Sequence, residues 1–171
     1  MADDIQVIDR LLSPEEMQPL QDLAFNAPIY RPYPGTVMPN DDIHDVMFAR
    51  VLFNAWNVDD YVPHSDKYLD YVYPILNKIG VEVLIRCRLV VTAAKHEDFK
   101  AVSLSHIDST IPCKVAIFYI NSCNGGTKFT ESGKFVESTA NRVVLFPSHV
   151  YHSAIATTDT KFRHVININY H

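Results

Sequence analysis

His106 and Asp108 stand two residues apart in the segment SLSHIDST. Side chains alternate along an extended chain, so an imidazole and a carboxylate at this spacing share one face. Such a pair can hold one edge of a metal ion if a third ligand arrives from elsewhere. A His-x-Asp tripeptide is weak on its own and also occurs as an ordinary surface pair. The favoured third ligand is His152, which opens a strand after the apolar run NRVVLFPS. His149 is its rival, placed in the turn just after Pro147, where side chains more often face solvent. Two histidines and one carboxylate on one side of a metal suit Fe(II), with the remaining positions open for chemistry.

Arg163 is the next residue of interest, in the strand pattern TKFRHVININY. It has the parity of Val165, Asn167 and Asn169 and lies opposite Phe162, Ile166 and Ile168. A guanidinium on an apolar strand is costly to bury without a partner. Either the face is exposed or salt-bridged, or the carboxylate of a ligand supplies the partner through a two-pronged contact.

The elements that must carry these residues fall into two halves. Residues 1–80 are expected to form a helical flank with lid loops, and residues 81–171 a β core, all within one domain of 171 residues. Ser13, Pro14 and Glu16 open a helix with a capping box and a proline at its first position. Further helices are expected in DVMFARVLFNAW and in SDKYLDYVYPILNKIG, the latter stopped by Gly80. From Val81 onward about eight short runs rich in Val, Ile, Phe and Tyr follow one another without helices, several alternating with period two. SLSHID is one of them. The tight-turn signals are NGG at Asn124–Gly126 and ESGK around Gly133. The fold class is therefore mainly β with flanking helices, as an antiparallel jelly roll or cupin-like sandwich.

Composition narrows the function classes. Fifteen basic residues against twenty acidic ones give a net charge of −5, which tells against a nucleic-acid partner. Three cysteines at no metal-binding spacing argue for a reducing compartment rather than a disulfide framework. The acidic opening MADDIQ does not read as a secretory leader, and no apolar run approaches the ~18 residues of a membrane span. A cytoplasmic protein with no membrane association is expected.

In order along the chain, HID, AIFYINSCNGGTKF, NRVVLFPSHVYHSA and FRHVININY resemble the Fe(II)/2-oxoglutarate-dependent oxygenases, and within them the prolyl-4-hydroxylase-like branch. The resemblance spans about half the chain, from Arg88 to Tyr170, and implies a double-stranded β-helix. It further implies that His106, Asp108 and His152 bind Fe(II) and that Arg163 pairs with the distal carboxylate of 2-oxoglutarate. Lys161 has the same parity and is the rival anchor. Tyr119 would assist the carboxylate contact, and Asn167 would bond a cofactor oxygen or a water. The implied reaction consumes O2 and 2-oxoglutarate, hydroxylates an aliphatic C–H bond and releases succinate and CO2, with ascorbate as a stimulant. No protein nucleophile is needed, and no nucleophile elbow, phosphate loop or dinucleotide fingerprint is present in the sequence.

The substrate would be a peptide or a small molecule. The loop APIYRPYPGTVMPNDD and the stretch from Asn57 to Asp66 are expected lids, whose aromatic residues suit a peptidyl proline or another small apolar group. Two other functions use the same residues: a cupin-like metal protein without 2-oxoglutarate turnover, and a non-catalytic binding module.

Overall fold

The computed structural model describes residues 4–26, 31–32, 47–55, 64–94 and 104–171. In chain order the elements are β1 (Gln6–Asp9), α1 (Pro14–Asn26), β2 (Arg31–Pro32), β3 (Met47–Asn54), β4 (His64–Ser65), a 3-10 helix (Lys67–Val72) and α2 (Tyr73–Lys78). They continue with β5 (Leu84–Ala93), β6 (Lys114–Tyr119), β7 (Gly126–Phe129), β8 (Phe135–Glu137), β9 (Arg142–Pro147), β10 (His152–Ile155) and β11 (Phe162–Tyr170). All pairings are antiparallel. The larger sheet runs β1-β9-β6-β11-β5-β3-β2 with β4 beside β3, and the smaller runs β10-β7-β8. This is the antiparallel jelly roll expected from the strand pattern, in the form of the double-stranded β-helix that the resemblance implies.

Strand alternation divides the core in two. Cys87 and Leu89 of β5, Phe118 of β6 and Ile166 and Ile168 of β11 face the helices, where they pack with Leu20, Leu23 and Ile75. Val90, Ile117, Tyr119 and Val165 face the other way and meet Phe129 and Val136 of the smaller sheet. That second layer is the inside of the barrel. It is unusually polar along β5 and β11, where the cross-strand partners are Thr92 with Arg163, Arg88 with Asn167 and Arg86 with Asn169.

The helical flank follows its capping signals. Ser13 N–H donates to Glu16 Oε2 (2.8 Å), and Glu16 N–H donates back to Ser13 Oγ (3.3 Å). Gly80 stops the region after α2 with φ +69°, in the left-handed region that glycine enters without a Cβ clash. Asn141 ties this flank to the barrel by exchanging two 2.8 Å hydrogen bonds with the Leu12 backbone.

Two expectations need correction. The segment DVMFARVLFNAW is not helical: Met47–Asn54 is strand β3, paired with β5. Its Phe, Val and Leu residues serve a half-buried sheet as well as a helix face, and the open edge of β5 decides between them. The second is SLSHID, whose described part, from Leu104 onward, forms a single bridge at His106 rather than a strand. The expected lids lie almost wholly outside the described residues. ESGK does turn the β7–β8 hairpin, with Gly133 at φ +68°. NGG instead leads from the larger sheet into the smaller. A Cβ on Gly126 would overlap the Val136 carbonyl oxygen, so the close approach of β8 requires glycine there.

Candidate active site

His106 and His152 face each other across an isolated antiparallel bridge. Each N–H donates to the other's carbonyl, at 2.9 and 3.0 Å. The paired residues present their rings to the same side, with centroids 4.6 Å apart. Asp108 follows two residues after His106, and its N–H donates to Ser148 O (3.2 Å). Ser148 is fully buried, and its hydroxyl donates to Ile111 O (3.1 Å) and accepts from Cys113 N–H (3.1 Å). It staples the HID segment to the end of β9. The result is one cluster in which a ligand atom from each of His106, Asp108 and His152 lies within 4.8 Å of the other two.

The surroundings prepare these groups for a cation. His106 Nδ1 lies 3.1 Å from Leu104 O and His152 Nδ1 lies 3.0 Å from Val150 O. From those contacts we assign the proton to Nδ1 in both rings, which leaves each Nε2 lone pair for a metal. Burial lowers the pKa of His152 and favours its neutral, ligating form, against the opposing pull of Asp108. Burial by itself would raise the Asp108 carboxyl. Its electrostatic interactions with His152, Arg88, Arg86 and His106 outweigh burial and hold Asp108 below the ordinary carboxylate value. Phe146 packs against His152 at 4.8 Å between centroids and helps fix the ring.

Ligands at right angles, about 2.1 Å from one ion, lie about 3 Å apart. His106 Nε2 and Asp108 Oδ1 are 3.9 Å apart, so the cluster must close slightly around a metal. The half-exposed His106 ring has the room to turn, whereas Asp108 and His152 are buried.

Inside the barrel, Arg163 is 3% exposed. Its Nη2 makes a long 3.4 Å contact to Thr127 Oγ1, and its guanidinium lies 5.4 Å from the centre of the Tyr119 ring. Its Nε has no hydrogen-bond partner, and among the described residues no carboxylate lies within ion-pair distance. Tyr119 is fully buried and donates to Thr127 Oγ1 at 2.8 Å, and burial raises its pKa, against the pull of Arg163. Asn167 Nδ2 donates to Asp108 Oδ2 (3.3 Å), while its Oδ1 accepts from Arg88 Nη2 (3.5 Å). The residue expected to touch a cofactor oxygen therefore touches the carboxylate of the cluster. Both rivals stand elsewhere: His149 and Lys161 are exposed.

No family model matches the sequence. A stretch of 91 residues, 50% of this chain, is 30% identical to an F-box protein of Arabidopsis thaliana and spans 22% of that protein. Solved structures are more informative. A prolyl hydroxylase of Trichoplax adhaerens, in complex with a hypoxia inducible factor peptide fragment, superposes over 99% of this chain and 84% of its own at TM-score 0.67 and 13% identity. A prolyl-4-hydroxylase of Pseudomonas putida does so over 99% and 93%, at TM-score 0.61 and 15% identity. The fold is that of the Fe(II)/2-oxoglutarate-dependent oxygenases. The fold is not tied to one reaction, since the non-heme alpha ketoglutarate dependent epimerase SnoN from nogalamycin biosynthesis also matches, over 98% of this chain and 78% of its own, at TM-score 0.67 and 14% identity.

Within this oxygenase fold, five residues near the cluster escaped the sequence reading: Arg86, Arg88, Thr127, Ser148 and Asn169. Arg86 Nη2 is 3.8 Å and Arg88 Nη2 4.0 Å from Asp108 Oδ1. Arg163 is thus joined by two further arginines on the inward side of β5. The signal was present, because Arg86 and Arg88 alternate with Cys87 and Leu89 just as Arg163 alternates with apolar neighbours. Thr127, Ser148 and Asn169 carry no such signal, since their importance comes from what faces them across the barrel.

Proposed function

We propose that this chain is an Fe(II)- and 2-oxoglutarate-dependent dioxygenase that hydroxylates an aliphatic C–H bond and releases succinate and CO2. One buried guanidinium carries the reading: Arg163, 3% exposed and with an unpartnered Nε, shares the inward face of β11 with Asn167, whose amide touches Asp108. An apolar interior does not keep such a charge without an anion to receive it. Asn167 stands four residues further along the same strand, so the guanidinium and the His106–Asp108–His152 cluster open onto one interior.

The residues fit both implied groups. Two imidazoles and a carboxylate form the donor set that suits Fe(II) and leaves positions open on one side. Bound iron and 2-oxoglutarate supply the oxidising power for the C–H bond. His106, Asp108 and His152 hold the metal, and Asn167 fixes the Asp108 carboxylate. Arg163 receives the distal carboxylate through its planar fork. The Tyr119 hydroxyl, with Thr127 between it and Arg163, adds a donor beside that contact. The peptide held by the Trichoplax neighbour supports a peptide substrate as one class to test first.

Succinate formation from 2-oxoglutarate, with Fe(II), ascorbate and air, tests the reading. Succinate should form slowly without substrate and faster with a peptide that gains one oxygen atom by mass. Complete lack of succinate in a metal-loaded protein would sink the oxygenase assignment and leave the cupin-like alternative.

A further inference from the structure

Ser148 departs from the ladder it continues. β6 and β9 are antiparallel with Lys114 opposite Pro147, so Cys113 and Ser148 form the next rung. Rungs alternate and proline has no N–H, so this pair stands where two residues exchange both backbone hydrogen bonds. One of the two is made: Ser148 N–H donates to Cys113 O at 2.9 Å. The returning Cys113 N–H goes instead to the Ser148 hydroxyl, at 3.1 Å. The Ser148 carbonyl is thereby left for Asp108 N–H, which donates to it at 3.2 Å.

The hydroxyl thus stands in for a backbone acceptor. Ser148 is fully buried, and the hydroxyl's own proton goes to Ile111 O at 3.1 Å. With these four hydrogen bonds one residue ties down Asp108, Ile111 and Cys113. Of the three residues in the cluster, Asp108 needs this most. His106 and His152 hold each other through the two bonds of their bridge. Asp108 lies in no strand; the Ser148 carbonyl holds its backbone and Asn167 Nδ2, at 3.3 Å, its carboxylate.

We propose that the Ser148 hydroxyl is a positioning group for the metal site: by accepting Cys113 N–H, it frees the Ser148 carbonyl to hold Asp108. Calling Asp108 a metal ligand rests on the oxygenase reading above; the transfer of hydrogen bonds does not. Without the hydroxyl, Cys113 N–H takes the carbonyl, completes the rung and releases Asp108 N–H. A merely structural serine would do the reverse, and its loss would loosen Cys113 while Asp108 stayed held.

Ser148→Ala separates the two. Amide exchange in metal-free protein, read by NMR, should be about tenfold faster at Asp108 and no faster at Cys113, as one hydrogen bond passes between them. Mn(II) affinity, read by electron paramagnetic resonance, should fall about 10- to 100-fold, as for other groups that orient metal ligands. Gly126→Ala, whose Cβ meets Val136 and Phe135 rather than the cluster, is the control for lost stability and should bind Mn(II) like the parent. Ser148→Cys fills nearly the same space with a much weaker acceptor. It should move both readings in the same direction, and it decides the matter if the alanine variant does not fold.

An Asp108 amide as protected in Ser148→Ala as in the parent would overturn the proposal, as would faster exchange at Cys113 instead. So would unchanged Mn(II) affinity, or an equal loss in Gly126→Ala. Failure of the metal reading shows separately, as an undiminished free Mn(II) signal with the parent protein. The exchange rates at Asp108 and Cys113 then still decide whether the hydroxyl holds Asp108 in place.

Discussion

Replacing Arg163 with methionine should make the protein more stable and less able to bind its cosubstrate. The guanidinium is 3% exposed, with a 3.4 Å contact to Thr127 and an unpartnered Nε. Replacing a buried charged group by an apolar one of similar size is often stabilising by about 1–4 kcal/mol. At about 2–4 °C per kcal/mol for a domain of this size, Arg163→Met should melt several degrees higher than the parent when 2-oxoglutarate is left out. Ligand favours the parent instead. Losing a buried two-pronged contact to a carboxylate costs about 2–5 kcal/mol, so affinity should fall by about 30-fold or more. Thermal melts of Mn(II)-loaded protein under argon read both effects. At 100 times its Kd, 2-oxoglutarate stabilises the parent by about 2.7 kcal/mol, and the same concentration should stabilise the variant by about 0.9 kcal/mol or less. A variant that melts lower without ligand, yet keeps the full ligand shift, would refute Arg163 as the acid's partner.

Other consequences are as direct. Asn167→Ala removes the donor to Asp108 Oδ2, and Mn(II) affinity read by electron paramagnetic resonance should fall about 10- to 100-fold; unchanged affinity would end its positioning role. His164 faces the helices between Phe25 and Phe162, and burial lowers its pKa to about 4. The unfolded chain therefore binds more protons than the folded one between the ordinary value and that one. The contribution of His164 is complete above pH ~6.5 and is lost as pH falls toward ~4, on the order of 3 kcal/mol in all. Urea unfolding at both ends of that window should show a smaller acid loss in His164→Leu than in the parent, and equal losses would contradict the assignment. Gly126→Ala pushes a Cβ into the Val136 carbonyl, at a cost of about 1–3 kcal/mol in the melt. An alanine variant as stable as the parent would show that β8 gives way.

The residues readable from sequence were those whose chemistry conflicts with their local pattern. Arg163 stands out because the rest of β11 is apolar or amide, and His106 and Asp108 because strand parity puts them on one face. Arg86 and Arg88 show the same conflict in β5. They passed unnoticed because two arginines in a strand also read as an exposed edge, and only the pairing of β5 with β11 turns them inward. The error at Met47–Asn54 is of another kind. A run such as MFARVLFN is compatible with helix and strand, and a partner more than thirty residues away selects the strand. Thr127 and Asn169 were invisible for the same reason, since the register across the barrel, rather than any local feature, gives them their neighbours.

We have proposed that His106, Asp108 and His152 hold iron while Arg163 receives 2-oxoglutarate. Mixing the protein with Fe(II) and 2-oxoglutarate under argon tests it through the visible charge-transfer absorption of the chelate. The band should form in the parent, disappear in His106→Ala and weaken greatly in Arg163→Ala. No band in the parent, or an undiminished one in His106→Ala, would contradict it.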